Sequence, residues 1–353
     1  MGASNISKCM KHHGFDRPCF KLSATNSNRY AMFYANNSND NQAWYSGVNN
    51  RRVQCSYEDQ CKQIKAAPSQ TVLKFLSQWR FAGDPIKLVM TGENLDVLAA
   101  GIIQRCLSDP SNPSNPIAEL YLARCSLNEM KMNDICVGLF KNKTVTKLDL
   151  SKTLMKPGMA AALAKALEHN YKNGGALQEL VLDDSKFEEK GFESLVSGLS
   201  KSGLAKLSLQ RCALRDDSAS ALAKGLGTHG EMGFIRLVDI NLSGNFIGDK
   251  GAEAIGEGLA QNQVLLSLNL NKNKIGDEGG VAVAEAVRKN TSLQDLYLQG
   301  NELGSNASVA LTRTAQMSSC LRNLSFGDNK LDRQHMSVMH LLYKYGFAPE
   351  KKE

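Results

Sequence analysis

The sequence lacks any run of about 18 consecutive apolar residues, which is the length that a membrane-spanning helix requires. Its first residues also lack the apolar segment of a secretory signal peptide. These two absences argue against an integral membrane protein and against a secreted one. We therefore expect a soluble protein of the cytoplasm.

The sequence also lacks the short motifs of the common enzyme classes. It contains no P-loop, no dinucleotide fingerprint, no zincin helix and no nucleophile elbow. Several histidines have no serine or cysteine partner at a catalytic spacing: His169, His229, His335 and His340. The N-terminal cysteines and histidines contain no C-x₂-C pair, the usual zinc signature: Cys9, His12, His13, Cys19, Cys55 and Cys61. We predict no catalytic activity, no metal site and no cofactor.

The nine cysteines show no disulfide framework. Two of them, Cys125 and Cys212, fall where other repeats of the chain carry asparagine, and single buried thiols are expected there. Reduced thiols indicate a reducing compartment.

What the sequence does contain is one motif that occurs three times between Leu237 and Leu311, with a period of 28 residues. Its alternating apolar positions predict a short strand with one buried face, and the Gly/Ala-rich run that follows predicts a helix. Such a unit cannot bury its apolar face alone, so stacked units must share one core. Because strands need less room than helices, the stack should curve with its strands inside. We predict an α/β solenoid with parallel strands on the concave face and helices on the convex face.

The segment LNLNKNKIGDEGGVAVAEAV at residues 268–287 nearly matches the consensus LxLxxNxIGDEGAxALAEAL. The chain therefore resembles the ribonuclease-inhibitor class of leucine-rich repeats. That class is shared by ribonuclease inhibitor, Ran GTPase-activating protein, the sensor regions of NOD-like receptors, the tropomodulin cap domain and a subunit of the nexin-dynein regulatory complex. The resemblance implies the fold but not one function, since these relatives differ in activity. The resemblance is compatible with a cytoskeletal or ciliary location for the protein. Targeting to an organelle is a further alternative.

Two of these relatives have features that can be sought in this sequence. Ran GTPase-activating protein carries an Asn-Ala-Phe-Gly-Pro turn and a long acidic tail, whereas the matching turn here is NFIGD at residues 245–249 and the chain ends Lys-Lys-Glu. Ribonuclease inhibitor presents an acidic, tryptophan-rich concave face, and the predicted concave positions here contain no tryptophan. We predict a non-catalytic protein–protein interaction module, an adaptor or structural subunit of a larger intracellular assembly. A regulator of a small GTPase and a nucleic-acid-associated protein are the alternatives.

The repeats define the domain organisation. Residues 69–348 form the predicted repeat domain, with an N-terminal cap at 69–84, one degenerate and eight full repeats, and a C-terminal cap helix at 333–348, followed by a tail at 349–353. The asparagine position of the repeats is occupied in turn by Glu93, Cys125, Thr153, Ser185, Cys212, Asn245, Asn273, Asn301 and Asn329. Since only asparagine satisfies the backbone there fully, the second half should be the more regular half.

Residues 1–68 are predicted to form a basic, Asn/Ser-rich extended arm. Residues 1–80 hold 11 Lys/Arg against 4 Asp/Glu, while the rest of the chain holds 31 of each, so the first 80 residues carry the whole net charge of +7. We expect it to engage an acidic surface, with Trp44 and Tyr45 as contacts. The start exposes Gly2 and Cys9, so membrane association is expected only if these residues are acylated.

The solvent-facing strand positions supply the candidate partner-binding residues. They flank the buried leucines of the strands and should form one row along the concave face: Tyr121, Asp149, Val181, Asn241, Asn269 and Tyr297. The two tyrosines are the predicted anchors, because aromatic side chains supply a large contact area at low entropic cost. The predicted ligand is a protein rather than a small molecule, and the rim of the solenoid is the alternative binding site.

Overall fold

The computed structural model describes residues 58–59, 61–62, 68–78, 86–92, 95, 97–108, 117–188, 190–227 and 236–330. The chain divides into two compact units, Met1–Tyr45 and Ser46–Glu353. All described residues belong to the second unit. The predicted contacts Trp44 and Tyr45, the acylation sites Gly2 and Cys9, and the C-terminal cap at 333–348 lie outside the described residues.

The strands form a nine-stranded sheet in the order β1-β2-β3-β5-β7-β8-β9-β10-β11, and every described pairing in it is parallel. A two-stranded parallel sheet joins β4 to β6. The strands are β1 Ile86–Val89, β2 Ile117–Tyr121, β3 Lys147–Asp149, β4 Leu154–Met155, β5 Glu179–Val181, β6 Lys186–Phe187, β7 Lys206–Ser208, β8 Asp239–Asn241, β9 Ser267–Asn269, β10 Asp295–Tyr297 and β11 Asn323–Ser325.

Helices alternate with these strands along the chain. They are α1 Gln70–Gln78, α2 Val97–Ser108, α3 Glu129–Leu139, α4 Pro157–Lys172, α5 Gly191–Leu199, α6 Asp216–Gly227, α7 Asp249–Gln261, α8 Asp277–Lys289 and α9 Ser305–Met317. In the described part of the chain, none of them has the length and apolar character needed to cross a bilayer. The parallel sheet with alternating helices confirms the predicted α/β solenoid.

One continuous apolar core runs between the sheet and the helices. Most strands place their central apolar residue in it: Leu120, Leu148, Leu180, Ile240, Leu268 and Leu296 are each 0% exposed. Successive side chains of a strand point to opposite faces, so the residues on either side of each central leucine face away from the helices. We call this second surface the open face of the sheet.

Asparagine side chains tie the later repeats together where each strand ends. Nδ2 of Asn301 donates to the carbonyls of Leu270 and Leu298 at 2.9 Å each, and its Oδ1 accepts from the N–H groups of Asn273 and Ile275 at 3.1 and 3.2 Å. Asn245 makes four bonds of the same kind. These buried amides satisfy backbone groups of two neighbouring repeats at once, which apolar side chains could not do.

The same position is less well satisfied in the earlier repeats. The thiols of Cys125 and Cys212 donate to the carbonyls of Met90 and Leu182 at 3.0 and 3.1 Å. The hydroxyl of Ser185 donates to the carbonyl of Leu150, whereas the buried Oγ1 of Thr153 has no hydrogen-bond partner among the described residues. The two cysteines are buried, as the sequence predicted.

We therefore expect amide hydrogen exchange to be slower around Leu268 and Leu296 than around Leu148. Solenoid stability is close to a sum of terms for single repeats and for the interfaces between them, so the better-bonded repeats should open less often. Exchange of the intact chain read by mass spectrometry gives the comparison. Equal protection, or faster exchange in the asparagine-bearing repeats, would contradict this expectation.

The described residues include a short helical segment near the C-terminal end of the predicted arm. Residues 58–59 and 61–62 are helical, and Cys61 is 0% exposed within the core. Its short side chain contributes to that core. No periodic pattern marks this segment in the sequence, because it is short and its neighbours Asp59 and Lys62 are polar. The arm predicted for residues 1–68 therefore overlaps the repeat unit at its end.

Candidate functional site

The open face carries two parallel columns of side chains, because the strands pair in register. The residues that follow each central apolar residue form the inner column, and the residues that precede it form the outer column. The inner column contains all six predicted surface residues together with Ser208. The pairings run Tyr121↔Asp149, Asp149↔Val181, Val181↔Ser208, Ser208↔Asn241, Asn241↔Asn269 and Asn269↔Tyr297. All are partly exposed. The structure thus brings the predicted residues into one row, while Trp44 and Tyr45 lie outside the described residues.

Three side chains of the inner column accept hydrogen bonds from the turn that follows their own strand. Oδ1 of Asp149 accepts from the N–H and hydroxyl of Ser151 at 2.9 and 2.6 Å. Oδ1 of Asn241 and Oδ1 of Asn269 accept from backbone N–H groups two residues further on. These side chains close the turn after each strand, which lowers their capacity to bind a partner. Local hydrogen bonding of this kind is a structural function that the surface pattern alone did not indicate.

The outer column alternates in charge over its first six positions. Lys87, Glu119, Lys147, Glu179, Lys206 and Asp239 lie side by side in paired strands. Two ion pairs form, Lys87–Glu119 at 3.0 Å and Lys147–Glu179 at 2.5 Å. Opposite charges on adjacent strands attract and like charges would repel, so this alternation stabilises the register. The N-terminal half of the open face therefore compensates its own charges.

Tyr121 is held inside this charge network. Its hydroxyl donates to Oε2 of Glu119 at 2.5 Å, and Nζ of Lys147 lies 5.8 Å from its ring centroid. The hydrogen bond to Glu119, followed by burial, raises the pKa of Tyr121 to about 12. The same bond, with that of Lys87, lowers the pKa of Glu119. A partner that used Tyr121 would have to break contacts that the free protein already makes.

The C-terminal half of the open face differs, because beyond Asp239 the outer column continues as Ser267, Asp295 and Asn323 without a further cation. The hydroxyl of Tyr297, beside Asp295, makes no hydrogen bond to the described residues. Burial, then Asp295 and Asp239, raises the pKa of Tyr297. This region combines two carboxylates with an aromatic side chain whose hydroxyl is available to a partner. We call Asp239, Asp295 and Tyr297 the acidic patch.

Asp239 is the most perturbed carboxylate of the acidic patch. Burial raises its pKa, with smaller raising effects of Asp295 and Glu179, while Lys206 and a hydrogen bond from Ser267 lower it. The folded state therefore binds the proton of Asp239 more tightly than the unfolded chain does. Stability from this group is fully present below the unfolded pKa of about 3.9 and is lost as the pH rises through the folded pKa.

We therefore expect Asp239→Asn to raise the free energy of unfolding at pH 7 and to have a much smaller effect near pH 4. Asparagine is uncharged at both pH values, so the difference between the two proteins should grow with pH. Urea titrations of both proteins at the two pH values give the comparison. Asp217→Asn on the exposed surface of α6 is the control, for which we expect no such pH trend. A constant difference for Asp239→Asn would contradict the assignment.

A polar network that the sequence did not reveal crosses the open face between its two halves. Oδ1 of Asp183 accepts from the hydroxyl of Ser208 at 2.6 Å and from the N–H of Gln210 at 3.0 Å, while its Oδ2 accepts from Nε2 of Gln210 at 3.0 Å. Oε1 of Gln210 accepts in turn from the hydroxyl of Ser243 at 3.2 Å. The network joins three repeats and holds this part of the face in a fixed arrangement. A comparison of equivalent turn positions across repeats could have located it.

The described residues contain no cluster of three or more His, Cys, Asp or Glu side chains able to hold a metal ion. The Cys136 thiol is buried, and burial raises its pKa to about 12; the same cause raises the pKa of Cys212 to about 12. Thiols in such surroundings are protonated at neutral pH and are poor nucleophiles. The open face offers charged groups, hydrogen-bonding groups and aromatic side chains.

The family model described as "Leucine Rich repeat" matches residues 237–256, 261–284 and 289–311. A curated relative, "Leucine-rich repeat-containing protein 45" of Gallus gallus, is 28% identical over 167 residues, which are 46% of this chain and 24% of the relative. The chain therefore matches about a quarter of that relative's length. A solved structure titled "Leiomodin-1 Actin-Binding Site 2 (ABS2)" aligns with 18% identity and a TM-score of 0.36, covering 44% of this chain and 87% of the other.

Proposed function

Because this chain is a leucine-rich-repeat protein, we propose that it is a non-catalytic adaptor or structural subunit that holds a protein partner on the open face of its sheet. The acidic patch is the proposed centre of that site. Its partner presents basic side chains to Asp239 and Asp295 and a hydrogen-bonding or apolar group to Tyr297. Such a partner is a protein surface rather than a small molecule, because the groups lie on β8 and β10 with β9 between them.

The observation that carries this proposal is the contrast between the two halves of the open face. In the N-terminal half the charged side chains pair with each other, as Lys147 does with Glu179. In the C-terminal half Asp239 stays partly buried although burial opposes its ionisation. A carboxylate that lowers stability on an exposed sheet is typical of a binding surface, where function and stability compete.

Residues 1–68 form the second part of the proposed adaptor. Their basic excess supports electrostatic attraction to an acidic surface, which weakens as ionic strength rises. In this proposal Trp44 and Tyr45 contact that surface. The buried thiols of Cys136 and Cys212, which form no disulfide with the described residues, support a reducing compartment, such as the cytoplasm, as the place where the protein works.

Affinity purification with the full chain from its native source tests the proposal. We expect proteins retained by the wild type to be lost with the double variant Asp295→Asn, Tyr297→Ala and to be kept with Arg313→Ala, a control on the exposed surface of α9. Both variants must show the circular dichroism and melting behaviour of the wild type. Retention by the open-face variant of every protein that the wild type retains would overturn the proposal.

A further inference from the structure

A second surface lies at the edge where the strands end and turn toward the helices. The residue before each asparagine position has a positive φ in nine successive repeats, from Gly92 to Asp328. Backbone hydrogen bonds place these turns side by side, for example from the N–H of Lys152 to the carbonyl of Asp183 at 2.8 Å and from that of Lys272 to Gln299 at 2.7 Å. Their side chains therefore form a column, which we call the turn edge.

The turn edge is rich in cations without ion pairs. Six of its nine residues are charged, in the order Arg124, Lys152, Asp184, Arg211, Lys272 and Asp328, with glycines at the remaining positions. The carboxylate of Asp184 accepts two hydrogen bonds from Arg211, from Nε at 2.7 Å and from Nη2 at 2.9 Å, so its charge is already paired. Arg124, Lys152 and Lys272 are exposed and form no ion pair with the described residues.

A neighbouring column, two residues further along each repeat, adds both cations and apolar surface. Leu154 is 51% exposed and Phe246 is 46% exposed. Lys186 pairs in register with Leu154 in the two-stranded sheet, and Nζ of Lys274 lies 5.0 Å from the ring centroid of Phe246. Lys330 is the exception, because it contacts Glu302 at 2.7 Å.

Other carboxylates near the turn edge do not form ion pairs with its cations, because they accept hydrogen bonds from backbone N–H groups instead. Oδ1 of Asp249 accepts from the N–H groups of Gly276 and Gly279 at 2.7 and 2.8 Å, at the start of the next helix. Asp216 and Asp277 accept in the same way from the N-termini of α7 and α9. Each carboxylate thus interacts with a helix dipole rather than with a lysine.

We infer that the turn edge binds an acidic protein segment that carries apolar side chains. Arg124, Lys152, Lys186, Lys272 and Lys274 supply the charge complementarity, and Leu154 and Phe246 supply contacts for apolar groups. Arg124 and Lys272 are separated by five repeat steps, or roughly 24 Å at the spacing of adjacent strands. An extended segment of about seven residues spans that distance.

The alternation of cations with apolar and acidic side chains favours a peptide over a nucleic acid. A phosphate backbone would meet Asp184 and Asp328 along the same track and would gain nothing from Leu154. An acidic peptide can place its apolar residues opposite Leu154 and Phe246 and its carboxylates opposite the lysines. This surface is separate from the acidic patch, so one chain would present sites of opposite charge.

Fluorescence anisotropy with the full chain tests the inference. The probe is a peptide of about 12 residues that repeats Glu-Glu-Leu; the comparison probes are oligoglutamate of equal length and single-stranded oligothymidylate. We expect the leucine-containing peptide to bind most tightly. Lys186→Glu with Lys274→Glu should weaken its binding by about 10-fold, since each substitution removes an attraction to a peptide carboxylate and adds a repulsion. Phe246→Ser should weaken this peptide several-fold and leave oligoglutamate unchanged.

The matched control carries Lys165→Glu with Arg313→Glu, which changes the net charge equally on exposed helix surfaces and should preserve binding. Tyr297→Ala should also preserve it, so that failure here is distinguishable from failure of the acidic patch. The inference is overturned if the leucine-containing peptide does not bind the wild type, if the edge and control variants weaken binding equally, or if oligothymidylate binds more tightly.

Discussion

Replacing Asn301 by alanine should lower the free energy of unfolding by about 3 kcal/mol, because it leaves buried backbone groups without partners. The carbonyls of Leu270 and Leu298 keep a second donor, from Asn273 and Asn329 respectively. The N–H groups of Asn273 and Ile275 lose the only acceptor that the described residues offer them. Each unsatisfied buried group costs about 1 to 3 kcal/mol, so two of them account for the expected loss.

The matched control is Thr153→Val at the equivalent position of an earlier repeat. The hydroxyl that valine removes has no partner among the described residues, and valine has nearly the same shape. We therefore expect the free energy of unfolding to change by less than about 1 kcal/mol, with a gain in stability as the favoured direction. Urea denaturation followed by circular dichroism measures both variants. Equal losses for the two would contradict the role assigned to the asparagine ladder.

Tyr297→Ala should weaken binding of the protein partner by about 30-fold, whereas Tyr121→Ala should weaken it by less than about 5-fold. A buried aromatic anchor contributes about 2 kcal/mol or more, which corresponds to that larger ratio. Tyr121 should contribute less because its hydroxyl is already bonded to Glu119 in the free protein. Isothermal titration with the partner identified by affinity purification measures both ratios.

The folding of both tyrosine variants must be intact for this comparison, and their melting temperatures give the control. A larger loss for Tyr121→Ala than for Tyr297→Ala would place the partner on the N-terminal half of the open face. Unchanged affinity in both variants would remove the open face from the binding site.

The repeats between residues 237 and 311 could be predicted with their strand positions because their motif is regular. Asn245, Asn273 and Asn301 occupy the predicted position at the end of each strand, and the open-face row from Tyr121 to Tyr297 forms as expected from the alternation of strand side chains. Regular spacing determined these features, since each repeat has to match its neighbour to bury a common core.

What the sequence did not reveal depends on contacts between residues about 30 positions apart. The pair Lys147–Glu179 and the cap that Asp249 provides to the helix of the next repeat exist only once the strands are in register. The positive φ at Lys152 and Lys272 was equally hidden, because neither residue type marks a left-handed turn. The burial of Cys61 was also hidden, because one buried thiol leaves no periodic pattern in the sequence.

Site-specific photo-crosslinking of the full chain in its native source shows directly which face contacts the partner. A photoreactive phenylalanine analogue replaces Tyr297 in the acidic patch, Tyr121 in the charge network, or Arg313 on the exposed surface of α9. We expect a strong, discrete crosslink to one protein from position 297, a weaker one from 121 and none from 313. Equal crosslinking from all three positions, or a discrete product from 313 alone, would contradict the proposal that the open face is the partner-binding site.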